Sequence, residues 1–251
     1  MKYKFNSQSN FKEDDILDVI NQFNTKGTLF GNGDRNKIKL FEINGETINV
    51  KSFKIPNLIN KIAYKYFRKS KAKRSFEFAQ ILENKNIGTP EPIAYFENFN
   101  GIGLIDSYYV SKHLACDLTF RGLVENPKYP NHETILRQFT QFSFQLHEKG
   151  IEFKDHSPGN TLIKKVSDDD YQFYLVDLNR MSFHNTMSFD LRMKNLSRLT
   201  PKREMVQVMS DEYAKCSGEA YDQVFNLMWH YTETFQYKFH RKIRMKKNKN
   251  N

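Results

Sequence analysis

Lysine, glutamate, aspartate and asparagine sit in this chain in the order and at intervals that phosphoryl transfer needs. Residues 153–163, FKDHSPGNTLI, place Asp155 five positions before Asn160, the D-x-x-x-x-N spacing of a phosphotransfer catalytic loop. Asp177 follows 17 residues after Asn160, just past the apolar run FYLV. Upstream, INVK ends on Lys51 with Lys54 close behind it, and SFEFAQILEN carries Glu77 and Glu83. Phosphoryl transfer asks little covalent chemistry of a protein and much placement of charge. A carboxylate must take or orient the acceptor proton, a carboxylate and an amide must hold metal against the phosphates, and a lysine must steady them. Asp155, the Asn160–Asp177 pair and Lys51 fill those roles, and a buried lysine needs a carboxylate such as Glu77 to stay charged. Taken singly, each residue also has a plain structural explanation as a turn former, strand end or solvated helix charge. In a chain this rich in asparagine the Asp–Asn spacing arises about once by chance. The joint order carries the argument. Lys51 against Lys54, and Glu77 against Glu83, stay open at this level.

Two glycines extend the set. GNGDRN holds Gly31 and Gly33 in G-x-G spacing ahead of a strand, without the third glycine of G-x-G-x-x-G, and their amides are candidates to cover phosphates. No G-x-x-x-x-G-K-[ST] occurs, which argues against a P-loop enzyme.

These residues need elements to hold them. Residues 28–54 alternate in period two around the turn signals GNGD and NG, which predicts three antiparallel strands joined by tight hairpins. ILDVINQF (16–23) reads as a short amphipathic helix ahead of them. Residues 57–85 read as one long helical region with Phe76, Ala79 and Leu82 on a buried face and Gly88 as the stop. TPEPIAYFEN and SYYVSKHL predict two more strands around a hairpin with Gly101 and Gly103. After residue 132 the pattern is mostly helical, interrupted by the loop at Asp155 and by TLIKK and YQFYLVDL, which predict a hairpin around SDDD. The expected class is α+β and bilobal: a β-rich lobe over 1–110, a mainly helical lobe over 111–237, and a basic tail over 238–251.

Composition narrows the classes. The chain has 251 residues, 39% hydrophobic and 27% charged, which suits a globular rather than a disordered protein. Cys116 and Cys216 are far apart in sequence and belong to no metal-spaced set, which favours a reduced, cytoplasmic location. No apolar run approaches the length of a membrane span, and no early stretch resembles a signal peptide. The net charge is +10, and residues 61–74 and 238–250 each hold seven Lys/Arg. Such blocks suit phosphorylated ligands, nucleic acid or an anionic membrane surface. No zinc-finger, RRM or basic-zipper signature supports nucleic acid, and none is expected as a partner.

SKAKRSFEFAQILENKNIGTPEPIAYFE, GIEFKDHSPGNTLI and YLVDLNRMSF together resemble bacterial lipopolysaccharide kinases, which phosphorylate Kdo or heptose of the lipid A inner core on a protein-kinase-like fold. The resemblance covers roughly residues 27–200. It implies ATP and Mg2+ as cofactors and a Kdo- or heptose-containing lipid A precursor as partner. It also implies a cytoplasmic protein, open to a peripheral place at the inner membrane through its basic segments. Carried over by position, Asp155 is the base and Asn160 and Asp177 are magnesium ligands. Lys51 meets the ATP phosphates, Glu77 holds Lys51, and backbone groups near Ser111 and His113 meet adenine. Phe153 and Lys154 stand where the family commonly has histidine and glycine, and Asp177-Leu178-Asn179 replaces the usual D-F-G. A kinase with a small-molecule or protein acceptor and a non-catalytic scaffold are the alternatives.

Overall fold

A computed structural model describes residues 1–31, 36–53 and 57–250. Contacts divide the chain into two compact units. Met1–Ala115 with Asp177–Arg180 form the first, and Cys116–Val176 with the chain from Met181 onward form the second.

The first unit is built on β1 (Lys2–Phe5), α1 (Glu13–Asn21), β2 (Thr28–Leu29), β3 (Asn36–Ile43), β4 (Glu46–Phe53), α2 (Leu58–Tyr66), α3 (Lys71–Asn84), β5 (Pro92–Phe99) and β6 (Leu104–Lys112). Its strands make one antiparallel sheet in the order β1-β5-β6-β4-β3-β2. The period-two pattern of β4 divides its side chains cleanly. Ile48 and Val50 enter a core with Ile16, Ile20 and Phe23 of the α1 segment. Phe53, two residues beyond Lys51, enters a second core with Ala72 and Phe76 of α3 and Tyr95 of β5. Lys51 therefore sits on the sheet face that α3 covers.

Three departures from the sequence reading have local causes. The helical region 57–85 is two helices, because the Ser70 hydroxyl accepts the Lys73 amide at 3.0 Å and starts α3 afresh, the ordinary job of an N-cap serine. Asn86, at φ +52, takes the left-handed position after α3, a conformation asparagine adopts readily, so Gly88 is not the stop. The polar start hides β1, an edge strand paired to β5.

The second unit contains β7 (Leu118–Thr119), α4 (Phe120–Glu125), α5 (His132–Glu148), β8 (Ile151–Phe153), a 3-10 turn over Pro158–Asn160, β9 (Thr161–Lys165), β10 (Tyr171–Leu175), β11 (Met181–Phe183), α6 (Phe189–Leu196), α7 (Arg203–Ser217) and α8 (Tyr221–Asn250). β9 and β10 form the expected hairpin. Its Phe173 packs 5.6 Å, ring to ring, from both Phe139 and Phe142 of α5. Arg137 of α5 binds Asp211 at 2.6 Å and Glu212 at 3.1 Å on α7. The basic tail is the end of α8. Gly150 joins α5 to β8 at φ +70, and a Cβ there would stand 1.9 Å from the His184 carbonyl oxygen. Only glycine lets β8 begin so close to the chain leaving β11.

Candidate active site

β8 ends at Phe153, fully buried, whose carbonyl accepts the Asn195 Nδ2 at 3.0 Å. Lys154 turns to solvent, and its carbonyl accepts Arg198 Nη1 at 2.9 Å. The same nitrogen lies 3.4 Å from Asp155 Oδ1, and the Arg198 guanidinium rests over the Phe235 ring. His156 is then driven into the core, fully buried, its ring 5.7 Å from those of both Phe153 and Phe139. With its neighbours pinned on both sides, Asp155 keeps its carboxylate partly exposed, at 20%.

Asn160 closes the loop. Its side-chain amide donates to the Asp155 carbonyl at 2.8 Å. A carbonyl only accepts, so the nitrogen must face it and Oδ1 must face away. The Val176 amide donates to the Asn160 carbonyl at 3.0 Å, and Val176 is the residue before Asp177. Space over Gly159 is tight: a Cβ there would lie 3.1 Å from Arg121 Nη2. Arg121 thus brings a cation against the loop, from a segment to which the sequence reading gave no element.

In the first unit, Asp177 sits at φ +60 and its Oδ1 accepts Lys51 Nζ at 2.8 Å and Asn179 Nδ2 at 2.7 Å. Lys51 is 14% exposed at its side chain. Glu77 is not its partner: it binds Lys69 at 2.8 Å. The basic turn before α3 places Lys69 beside Glu77, while the left-handed backbone of Asp177 turns its carboxylate to Lys51. Nor does Glu83 serve. Burial, with Glu91 nearby, raises its carboxyl to about 7, so much of it is neutral near neutral pH. Ser111 lies inside β6, paired with both β4 and β5, and bonds the Tyr109 hydroxyl. The His113 amide is spent on the Thr47 carbonyl at 2.9 Å, and its ring meets Phe30 at 5.4 Å. Gly31 is exposed at φ +78. Gly33 and Lys54 lie outside the described residues.

The sequence reading missed the brace behind Asp155. His147 of α5 is fully buried, with Nδ1 2.9 Å from the Tyr213 hydroxyl and Nε2 3.3 Å from Asn195 Oδ1. Asn195 passes that chain of contacts to the Phe153 carbonyl. Asn195 and Arg198 lie in KNLSRLT, which has no motif signal, so only the packing of α6 beside β8 reveals them. Arg198→Ala is expected to lower kcat by about 100-fold through misplacement of Asp155, with KM for nucleotide unchanged. Arg198→Lys should recover part of it. Steady-state kinetics of the two variants checks this, since a purely structural loss would move both parameters and the melting temperature together.

Burial holds His147 at about 3 and His156 at about 4, against about 6.5 in an unfolded chain. Asn195 lies beside His156, but its Nδ2 is committed to Phe153 and its Oδ1 to His147, and among the described residues neither His156 ring nitrogen has a hydrogen-bond partner. Both imidazoles are therefore neutral in the folded state. Below about 6.5 the unfolded chain binds more protons, so this contribution to stability is complete above that pH and drains away as pH falls toward 4. Urea midpoints should drop between about pH 7.5 and 5. His156→Phe should flatten part of that slope, and should not cost stability at neutral pH because it removes two unpaired buried nitrogens.

The fold is kinase-like and the protein is a phosphotransferase. A family model, lipopolysaccharide kinase (Kdo/WaaP), matches residues 21–217, and the chain belongs to that family. Its activity is that of a lipopolysaccharide kinase, with a sugar hydroxyl as acceptor. Among solved structures it is similar to WaaP in complex with acyl carrier protein, at TM-score 0.65 and 14% identity, covering 96% of this chain and 99% of that one. No curated protein sequence matches it. Among the described residues no helix is long and apolar enough to cross a membrane.

Proposed function

We propose that the chain transfers the γ-phosphoryl group of ATP, with magnesium, to a hydroxyl of Kdo or heptose on a lipid A precursor. The observation that carries this reading is the Asn160–Asp155 bond, which ties the Asn160 side-chain amide to the main chain of Asp155 within one loop. Asp155 takes a hydrogen bond from the acceptor hydroxyl and, as transfer proceeds, its proton.

The donor set fits magnesium. Asn160 Oδ1 and Asp177 Oδ2 are hard oxygens with no hydrogen-bond partner among the described residues. Among those residues no cluster of three His, Cys, Asp or Glu could hold a metal alone. Magnesium is usually held by one or two protein oxygens with substrate phosphates and water completing its shell. When bound, it would neutralise charge developing on the phosphates. Lys51 supplies the phosphate-steadying ammonium, and Asp177 keeps it charged and aimed in the meantime. Amides at Gly31 and Gly33 cover the nucleotide phosphates, and the segment around Ser111 and His113 meets adenine. The basic stretches 61–74 and 238–249 support approach to an anionic membrane that carries the acceptor.

The test is magnesium-dependent ATP consumption stimulated by Kdo–lipid A, absent in Asp155→Asn. Turnover that ignores Kdo- and heptose-bearing glycolipids and answers to another metabolite would move the acceptor. Nucleotide binding without turnover would leave a scaffold.

A further inference from the structure

The end of α2 and the turn after it, within the basic stretch 61–74, build a cationic hollow in the first unit. It encloses about 300 Å³ and is lined by Lys2, Lys65, Arg68, Lys69 and Lys73 against one carboxylate, Glu97. The cations are held mostly by groups that leave their charge intact. Lys2 lies 5.3 Å over the Phe99 ring, Arg68 5.7 Å over Tyr64 and Lys73 5.9 Å over Tyr95. Lys65 donates to the Gly101 carbonyl at 2.6 Å. Among the described residues only Lys69 of this set has a carboxylate partner, Glu77. The hollow therefore carries a surplus of positive charge.

Its aromatic members are placed just as unusually. Phe67 is 83% exposed and Tyr66 63%, and Ile102, in the turn that Lys65 grips, is 56% exposed. A solvated basic face has no use for rings held in water. A bilayer surface suits both parts, because aromatic rings settle at headgroup level while cations meet lipid phosphates. Single-stranded nucleic acid also takes rings and cations, but along a groove that tracks a backbone over several nucleotides, and this surface is one open hollow of about 300 Å³ with Tyr66 and Phe67 in its lining.

We propose that this surface docks the chain on an anionic bilayer, with phosphate headgroups in the hollow and Tyr66 and Phe67 at headgroup depth. It rests on the lipid-linked acceptor for its purpose and not for its geometry. Flotation of the whole chain with phosphatidylglycerol-containing vesicles, with phosphatidylcholine vesicles as control, is the test. Wild type should float with the anionic vesicles only. Arg68→Glu should weaken binding at least fivefold, since each cation near such a surface contributes about a fivefold factor. Tyr66→Ser with Phe67→Ser should weaken it about tenfold. Both variants should keep wild-type turnover on a soluble inner-core saccharide and lose it on acceptor embedded in vesicles.

Wild-type flotation by the double variant overturns the proposal. So does loss of flotation on reversing Arg244 and Lys246 of α8 while Phe67 is dispensable, or binding of inorganic phosphate or an oligonucleotide in place of vesicles. Failure of the kinase reading looks different: no turnover on any glycolipid, with flotation still sensitive to Phe67.

Discussion

Asp155→Asn is expected to lower kcat by about 10³-fold while leaving KM for ATP and the melting temperature near wild type. The size follows from the range for a positioned general base, roughly 10² to 10⁴, and the selectivity follows from the loop. The backbone of Asp155 is held by Asn160 at its carbonyl, and its neighbours by Arg198 and by the buried ring of His156. An isosteric amide keeps all of those contacts and the 3.4 Å approach of Arg198, so the change is confined to the atom that receives the proton. Steady-state kinetics with saturating magnesium, beside a thermal melt, reads both quantities. A variant that retained a tenth of wild-type kcat would remove Asp155 from the base role.

Asp177→Asn is expected to lower kcat/KM by about 10² to 10³ and to raise the magnesium needed for half-maximal rate by at least tenfold. Two losses would combine under the proposed function: one oxygen assigned to magnesium and the carboxylate partner of Lys51, 2.8 Å away. Asparagine is the informative replacement because Asp177 sits at φ +60. Asparagine accepts that conformation, whereas alanine there would add strain of about 1 to 2 kcal/mol and confuse the reading. Magnesium titrations of the initial rate, with nucleotide binding followed separately by calorimetry, distinguish lost metal from lost nucleotide. Equal loss at all magnesium concentrations would assign Asp177 to holding Lys51 alone.

Much of this was legible because the chemistry-bearing residues sit where periodicity is strong. The alternation through INVK set Lys51 against Val50 and so predicted its face. The hairpin of TLIKK and YQFYLV is where the turn signals placed it. The partner of Lys51 was not legible, because ion pairing is decided by which carboxylate arrives first in space, and Lys69 captures Glu77 through a turn that the run of cations concealed. The brace was not legible either. Asn195 and Arg198 act on backbone carbonyls, and a carbonyl has no signature in sequence. His156 carried no signal either, and its burial against two phenylalanine rings emerges only when α5 and β8 pack.

The account rests on transfer of one phosphate to an inner-core sugar. Tandem mass spectrometry of the lipid A–core from cells with and without this chain measures that directly. The prediction is loss of one phosphate on a Kdo or heptose residue when the chain is absent, restored by the wild type and not by Asp155→Asn. An inner core of identical mass in both strains, or restoration by Asp155→Asn, would contradict it.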